Sequence, residues 1–109
     1  MGQFSYAGGS VVVDVDDRVL SHLRLVTVTK LRRAESFPLT LPLADGGTET
    51  LWMHASIPMR FTVEVDEVEL QRPMLVKMMS AASGAGGLNL ASADFARLVS
   101  PASVMHAVA

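Results

Sequence analysis

The sequence contains no cysteine, and this absence removes several kinds of chemistry at once. Its 109 residues offer no thiol for catalysis, no thiolate ligand for zinc or an iron–sulfur cluster, and no disulfide. Histidine is the other common metal ligand, and the three histidines, His22, His54 and His106, are far apart in the sequence. We therefore expect no cofactor and no metal site.

The sequence also lacks a long apolar run. No stretch approaches the roughly 18 uncharged residues that a membrane span needs. Residues 1–7 have neither the basic start nor the apolar centre of a signal peptide. We therefore expect no membrane partner and no secretion through a signal peptide. The expected location is the cytoplasm or an assembled particle such as a virion.

Charged residues are sparse, at 18% of the chain against 50% hydrophobic residues, and the formal net charge is −2. A chain with this balance has no overall positive field to attract nucleic acid or anionic lipid. Its length suits a single domain, which would bury about two thirds of the extended surface on folding. A core can therefore form without disulfides or metals.

The first third of the sequence predicts a hairpin followed by a helix. Residues 3–7 and 10–15 have strand-like patterns, and the Gly-Gly pair between them suits a tight turn with positive φ. Asp16 is a candidate N-cap, and apolar residues then recur near helical spacing as far as Arg33. Residues 25–29 (LVTVT) would fit a strand equally well, because β-branched residues favour strands.

The middle of the sequence predicts three strands. Residues 36–43 and 48–54 flank an Asp-Gly-Gly turn and predict a second hairpin. Pro38 and Pro42 favour an edge position for the first of these strands, since proline cannot donate to a sheet ladder. Residues 57–65 alternate apolar and polar side chains, which is typical of a half-buried strand.

The remaining sequence predicts a second helix and a short last strand. Pro73 suits the first turn of the helix, Gly84 suits its end, and residues 88–91 follow as the strand. The order β-β-α-β-β-β-α-β predicts an α+β fold, with a mostly antiparallel sheet and two helices on one face. We expect residues 1–91 to form this domain and residues 92–109 to form an apolar C-terminal extension.

Several short motifs carry a family resemblance over residues 1–91. They are Asp16-Asp17-Arg18, then residues 30–33 (KLRR) leading to residues 35–37 (ESF), then residues 52–54 (WMH) with residues 56–58 (SIP). In order and spacing they resemble an uncharacterised family of actinobacterial proteins of about a hundred residues. The sequence departs from that family's pattern at Ala34, where glycine is usual, and at Ala55, where proline is usual.

Members of that family often carry the label ATP-dependent DNA ligase, which this sequence does not support. Ligase adenylation needs a lysine nucleophile in a K-x-D-G setting. Lys30 is followed by Leu-Arg-Arg and Lys77 by Met-Met-Ser, so neither lysine fits. The sequence also has no G-x-S-x-G nucleophile elbow and no H-E-x-x-H zinc motif. We therefore expect a protein that is not an enzyme.

Two groups of charged residues are candidate interaction sites. Basic residues concentrate in the first helix and its exit, where they could contact phosphate groups or form a solvated helix face that complements the helix dipole. Acidic residues concentrate at the end of the strand predicted over residues 57–65 and just after it, where they form a solvated lead-in to the second helix or one pole of a head-to-tail contact. The basic patch is Arg18, Arg24, Lys30, Arg32 and Arg33, and the acidic pole is Glu64, Asp66, Glu67 and Glu69.

The apolar C-terminal extension is a third candidate site. Its apolar residues follow the end of the predicted sheet, and exposed apolar tails are usually disordered or docked on a partner. The candidate contact residues are Leu98, Val99, Val104, Met105 and Val108.

Together these features predict a non-enzymatic structural or interaction subunit. We expect it to act in a homo-oligomer or a larger assembly, such as a phage or prophage particle, with copies of itself or other protein subunits as partners. The alternative is a small nucleic-acid-associated module that uses the basic helix.

Overall fold

The helices and strands follow one another in the predicted order, and the fold is α+β as expected. The computed structural model describes residues 1–65 and 69–104. The helices are α1 (Asp17–Arg32) and α2 (Arg72–Ser83). The strands are β1 (Gly2–Tyr6), β2 (Val11–Val15), β3 (Phe37–Pro42), β4 (Thr48–Met53), β5 (Met59–Thr62), β6 (Leu88–Asn89) and β7 (Ser103–Val104).

The strands divide into two sheets, whereas the sequence pattern predicts one. The first sheet has the order β5-β1-β2-β7 and is antiparallel throughout. The second has the order β4-β3-β6, with β6 parallel to β3. The Tyr6 hydroxyl on β1 donates to the Trp52 carbonyl on β4 over 2.8 Å and so links the two sheets. Side-chain patterns predict strands but do not say which hairpins share a sheet.

One core joins both sheets to both helices. It contains Phe4 from β1, Leu23 from α1, Leu39 from β3 and Met78 from α2, each fully buried. Burying a side chain of this size contributes about 1.5–3 kcal/mol. No helix in the described part of the chain is long and apolar enough to cross a membrane.

Helix α1 begins as predicted. The Asp16 carboxylate accepts a hydrogen bond from the Arg18 backbone N–H at 2.9 Å, which satisfies one of the free N–H groups of the first turn. The LVTVT segment is helical, because Val26 and Thr27 lie against the core one turn after Leu23. The buried face thus decides between the two structures that the local sequence allows.

Helix α1 ends in a Schellman turn with an unusual residue. The Glu35 N–H donates to the Lys30 carbonyl and the Ala34 N–H to the Leu31 carbonyl, both at 3.0 Å. Ala34 has φ of 57°, in the left-handed region that glycine adopts without steric cost. The backbone therefore favours glycine at this position.

The expectation that β3 is an edge strand is wrong, because β3 is the central strand of its sheet. The carbonyl groups of Thr40 and Pro42 face away from β4 and accept from Leu90 and Ala102 at 2.9 and 2.8 Å. Pro38 lies two residues before Thr40 on β3, so its backbone nitrogen also faces away from β4. The strand on that side, β6, is only two residues long. The missing N–H groups of the prolines therefore leave the β3–β4 ladder intact.

Gly87 makes the close approach of β6 to β3 possible. Its φ is +69°, and a Cβ at this position would clash with the ring and the carbonyl of Pro38. Only glycine fits both the backbone conformation and the space.

Helix α2 has the predicted start and end. Pro73 lies in its first turn, and the Gly84 N–H bonds to the Ala81 carbonyl at the other end. Met78 and Ala82 are buried on the face that packs towards the core. His22 of α1 holds the start of this helix, because its Nε2 accepts from the Gln71 N–H at 2.8 Å while its Nδ1 lies 2.6 Å from the Arg18 carbonyl oxygen.

Candidate interaction site

A groove with mostly apolar walls lies between the second half of α1 and strand β5. Its volume is about 380 Å³, which is within the range of ligand sites, and it is shallow and wide open to solvent. Helix α1 contributes Thr27, Val28, Leu31 and Arg32. Strand β5 and the loop before it contribute Ala55, Ile57, Met59 and Phe61. We call this surface the α1–β5 groove.

The helical wall of the groove exists because α1 is apolar on more than its core side. Val26 is fully buried, whereas Val28 is 45% exposed and Leu31 is half-buried. Val28 and Leu31 are one turn apart, so they form a short apolar stripe. An amphipathic helix that packed on one side only would place polar residues here. In the sequence, this second apolar face is indicated by the LVTVT segment, whose apolar residues exceed what one buried helix face needs.

Strand β5 forms the opposite wall at an edge of its sheet. Among the described residues β5 pairs with β1 alone, so the other side of the strand has no ladder partner there. The Phe61 ring packs against the buried ring of Phe4 with centroids 5.0 Å apart, which fixes its orientation. Phe61 is nevertheless only half-buried. The outer part of this aromatic ring is available to a partner.

A tight loop holds Ile57 at the rim of the groove. The Ser56 N–H donates to His54 Nδ1 at 3.0 Å, and the Ile57 N–H donates to the His54 carbonyl at the same distance. Because Nδ1 accepts from the backbone, the Ser56 hydroxyl, 2.8 Å away, is also a donor to this atom. His54 of the WMH motif thus positions Ile57 of the SIP motif, which lines the groove.

Thr27 gives the groove one unsatisfied polar group. Its side chain lines the groove and is 3% exposed, and its Oγ1 has no hydrogen-bond partner among the described residues. A threonine hydroxyl in a helix commonly bonds to the carbonyl one turn earlier. A buried hydroxyl without a partner costs about 1–3 kcal/mol. This oxygen is enclosed by the protein, so its cost falls on the stability of the fold.

Lys30 of the basic patch is not available to a partner. Lys30 is only 6% exposed, and its Nζ lies 3.3 Å from Glu35 Oε2 and 3.1 Å from Ser83 Oγ. Sequence reasoning could not detect this, because a lysine near a helix C-terminus is usually solvated. Lys30 instead connects the last turns of the two helices.

The four arginines of the basic patch are exposed but do not form one surface. Arg24 and Arg32 lie two helical turns apart on one side of α1, and Arg33 follows at the C-cap. At 1.5 Å per residue, Arg18 in the first turn lies about 9 Å from Arg24 along the helix axis, and Arg24 lies about 12 Å from Arg32. The arginines are therefore spread along the helix, and only Arg32 and Arg33 are neighbours at its end.

The acidic pole lies only partly within the described residues. Glu64 and Glu69 are exposed, whereas Asp66 and Glu67 lie outside them. The Glu64 carboxylate is 3.1 Å from the Met1 amine, and this hydrogen bond raises the pKa of the amine from its ordinary value. Asp17 is turned towards the same segment and accepts from the Glu64 N–H at 3.2 Å.

The described part of the apolar extension belongs to the fold. Val99 is 6% exposed, Leu98 packs against the core, and Val104 pairs with Val11 as part of β7. These three side chains therefore contribute to the stability of the fold, which corrects the expectation of a tail beyond a complete sheet. Met105 and Val108 lie outside the described residues.

A second apolar patch with acidic residues lies where β7 ends. It is a depression of about 240 Å³. Its walls are Leu43, Ala44, Asp45, Glu49, Ala102 and Val104. Asp45 and Glu49 were not candidate residues in the sequence, because their turn and strand are ordinary solvated positions until β7 is placed beside them. We call this surface the β7 patch.

The described residues contain no group of three or more histidine and acidic side chains that could hold a metal ion.

Comparison with known proteins places the chain in a family. Residues 1–93 match the model of a domain of unknown function, DUF7882, and this range includes both walls of the α1–β5 groove. No curated protein and no solved structure matches the chain. The match agrees with the uncharacterised family that the motifs indicate. Since it covers most of the chain, the protein belongs to the DUF7882 family.

Proposed function

We propose that this protein is a non-enzymatic interaction subunit that associates with further copies of itself through the α1–β5 groove. The observation that carries this proposal is the groove itself, where the half-exposed Val28, Ile57 and Phe61 lie beside the outer side of β5. Apolar side chains in such an arrangement are typical of the centre of a protein–protein contact.

The charges at the two edges of the first sheet support a second copy as the occupant. The groove has Arg32 on its wall, and Arg33 follows directly. The β7 patch at the opposite edge has Asp45 and Glu49. A contact between the groove of one copy and the β7 patch of the next would therefore bring opposite charges together.

Such a contact is heterologous, because it joins two different surfaces of the same subunit. Repetition of a heterologous contact builds rings or open filaments. The proposal therefore includes the setting that the sequence predicts, a homo-oligomer or a larger repeated assembly such as a phage or prophage particle.

Sedimentation analysis over a range of protein concentrations tests the proposal. We expect the mass of the wild-type protein to increase with concentration and the V28E variant to remain monomeric, since a carboxylate would be placed in the groove. V76E is the matched control, because Val76 is 57% exposed on α2 and does not line the groove. A wild-type protein that stays monomeric, or a V28E variant that associates like V76E, would contradict the proposal.

Nucleic-acid binding is the competing outcome, and Arg24 distinguishes it. Arg24 is exposed on α1 but does not line the groove. If the basic helix binds duplex DNA, R24E should weaken a gel retardation that is steeply salt-dependent. If the groove binds a second copy, R24E should associate as the wild type does. No retardation of DNA at low ionic strength would remove the nucleic-acid hypothesis.

A further inference from the structure

We infer that the outer face of the second sheet binds a neutral saccharide chain of glucose-like units. Burial alternates along β3 and β4, so every second side chain points away from the core. The side chains on this outer face are Pro38, Thr40, Pro42, Thr48, Thr50 and Trp52. None of them lines the α1–β5 groove, so this inference goes beyond the proposed function and does not depend on it.

Trp52 gives the outer face an aromatic ring on an anchored backbone. The residue is 56% exposed, and its carbonyl accepts from the Tyr6 hydroxyl at 2.8 Å. On its other side Trp52 is paired with Pro38 of β3, in a pair without backbone hydrogen bonds, where side chains come closest. The strand position that carries the ring is therefore fixed before a ligand binds, which lowers the entropic cost of binding.

A row of hydrogen-bonding groups crosses the sheet next to Trp52. Thr50 is paired with Thr40, and Thr40 is paired with Asn89 of β6. The two threonine Oγ1 atoms are 3.0 Å apart, and their mutual bond uses one hydroxyl proton and leaves the other for a ligand. Asn89 Oδ1 accepts from the Ala91 N–H at 2.9 Å, so the amide NH2 group remains as a donor. This row can therefore both donate to and accept from hydroxyl groups.

The ring and the row together match the two kinds of surface on a sugar. A pyranose with equatorial hydroxyls has C–H bonds on its two faces and hydroxyl groups around its edge. Trp52 and Thr50 are two residues apart on β4, or about 6.8 Å. A sugar ring with its C–H face on the indole can therefore place an edge hydroxyl at Thr50, and the next unit of the chain continues over the sheet.

The charge of the outer face favours a neutral ligand over nucleic acid. Glu49 is the only charged residue of β3, β4 and β6, and it lies on the opposite side of the sheet together with Leu51. Nucleobases also stack on aromatic rings, but a nucleic acid needs Lys or Arg beside its phosphates. These three strands offer no such residue, whereas a neutral saccharide needs none.

Tryptophan fluorescence tests the inference, because Trp52 is the only tryptophan of the chain and reports on this face alone. We expect cellohexaose, a neutral glucose oligosaccharide with equatorial hydroxyls, to change the fluorescence saturably at millimolar concentration. The V28E variant should give the same titration, which separates this result from self-association. No saturable change in the wild-type protein would overturn the inference.

Substitutions on the outer face identify the groups that bind. T40V/T50V keeps the shape of both side chains but removes the hydroxyls, and it should weaken cellohexaose binding by about tenfold. The matched control T40S/T50S keeps the hydroxyls and should bind nearly as the wild type does. In calorimetry W52A should lose binding, whereas V76A, at an exposed residue of α2, should retain it. Urea unfolding curves show that each variant is folded.

Two outcomes of these titrations would contradict the inference. If T40V/T50V or W52A binds cellohexaose as tightly as the wild type, the saccharide lies elsewhere on the protein. If oligo-dT changes the fluorescence and cellohexaose does not, the face binds nucleobases instead.

Discussion

The Nζ of Lys30 lies 3.1 Å from the Oγ of Ser83, and this contact ties the end of α1 to the end of α2. The same ammonium group is 3.3 Å from Glu35, in the turn that follows α1. One buried cation thus joins two helices and a loop. Its position removes Lys30 from any surface that could bind phosphate, and it orients the helix end beside the α1–β5 groove.

Burial makes the Lys30–Glu35 pair more important than a shorter pair at the surface. The side chain of Lys30 is 8% exposed, whereas Lys77 and Asp94 are both 55% exposed although they are 2.8 Å apart. We expect E35A to lower the free energy of unfolding by about 1–2 kcal/mol, because it leaves a buried charge with fewer partners. The control D94A should lower it by less than about 1 kcal/mol. Urea unfolding measures both changes, and equal effects would contradict this account.

His22 is expected to stabilise the start of α2. H22F removes the Nε2 acceptor and leaves the Gln71 N–H without its partner, which should cost about 1–2 kcal/mol. Hydrogen exchange of the Gln71 amide should accelerate in this variant. Q71A is the control, because it keeps the backbone N–H that makes the bond. If Q71A destabilises the protein as much as H22F does, the contact depends on the side chain of Gln71 instead.

Ala34 offers a stabilising substitution. Its left-handed backbone conformation is strained for alanine, so A34G should raise the free energy of unfolding by about 1 kcal/mol. Changes from alanine to glycine are otherwise destabilising, because glycine increases the entropy of the unfolded chain. A93G at an exposed residue without positive φ is the control and should be neutral or destabilising. A thermal unfolding midpoint that does not rise in A34G would contradict the assignment of the turn.

Val99 tests whether the C-terminal region is part of the core. Because Val99 is 6% exposed, V99A should cost about 2 kcal/mol through lost burial and a cavity. V76A at an exposed residue of α2 should change the unfolding free energy by less than about 0.5 kcal/mol. If V99A is also neutral in urea unfolding, residues near Val99 do not contribute to the core.

The local elements of this fold can be predicted from the sequence, but their pairing cannot. Asp16 as N-cap, Pro73 in a first turn and the LVTVT ambiguity all concern neighbouring residues, and the first two are confirmed. The central position of β3 depends instead on contacts with distant residues. The N–H groups of Leu90 and Ala102 bond to the side of β3 that faces away from β4, and the local sequence of β3 does not indicate this.

The candidate site could be predicted only in part for the same reason. The sequence indicates a concentration of arginines, and Arg32 does line the groove. It does not indicate that Lys30 is buried or that Ile57 and Phe61 face α1, because these facts follow from how β5 pairs with β1. The apolar excess of α1 around Val28 was the one local signal of the groove.

A pair of engineered cysteines tests the central claim most directly, because the chain has no cysteine of its own and each new thiol is unique. One full-length chain has V28C in the groove, the other has A44C in the β7 patch, and the two are mixed under mild oxidation. The account predicts a disulfide-linked 1:1 dimer that forms at least tenfold faster than in the control mixture of V76C with A44C. Equal rates in the two mixtures would contradict the claim that the groove of one copy contacts the β7 patch of the next.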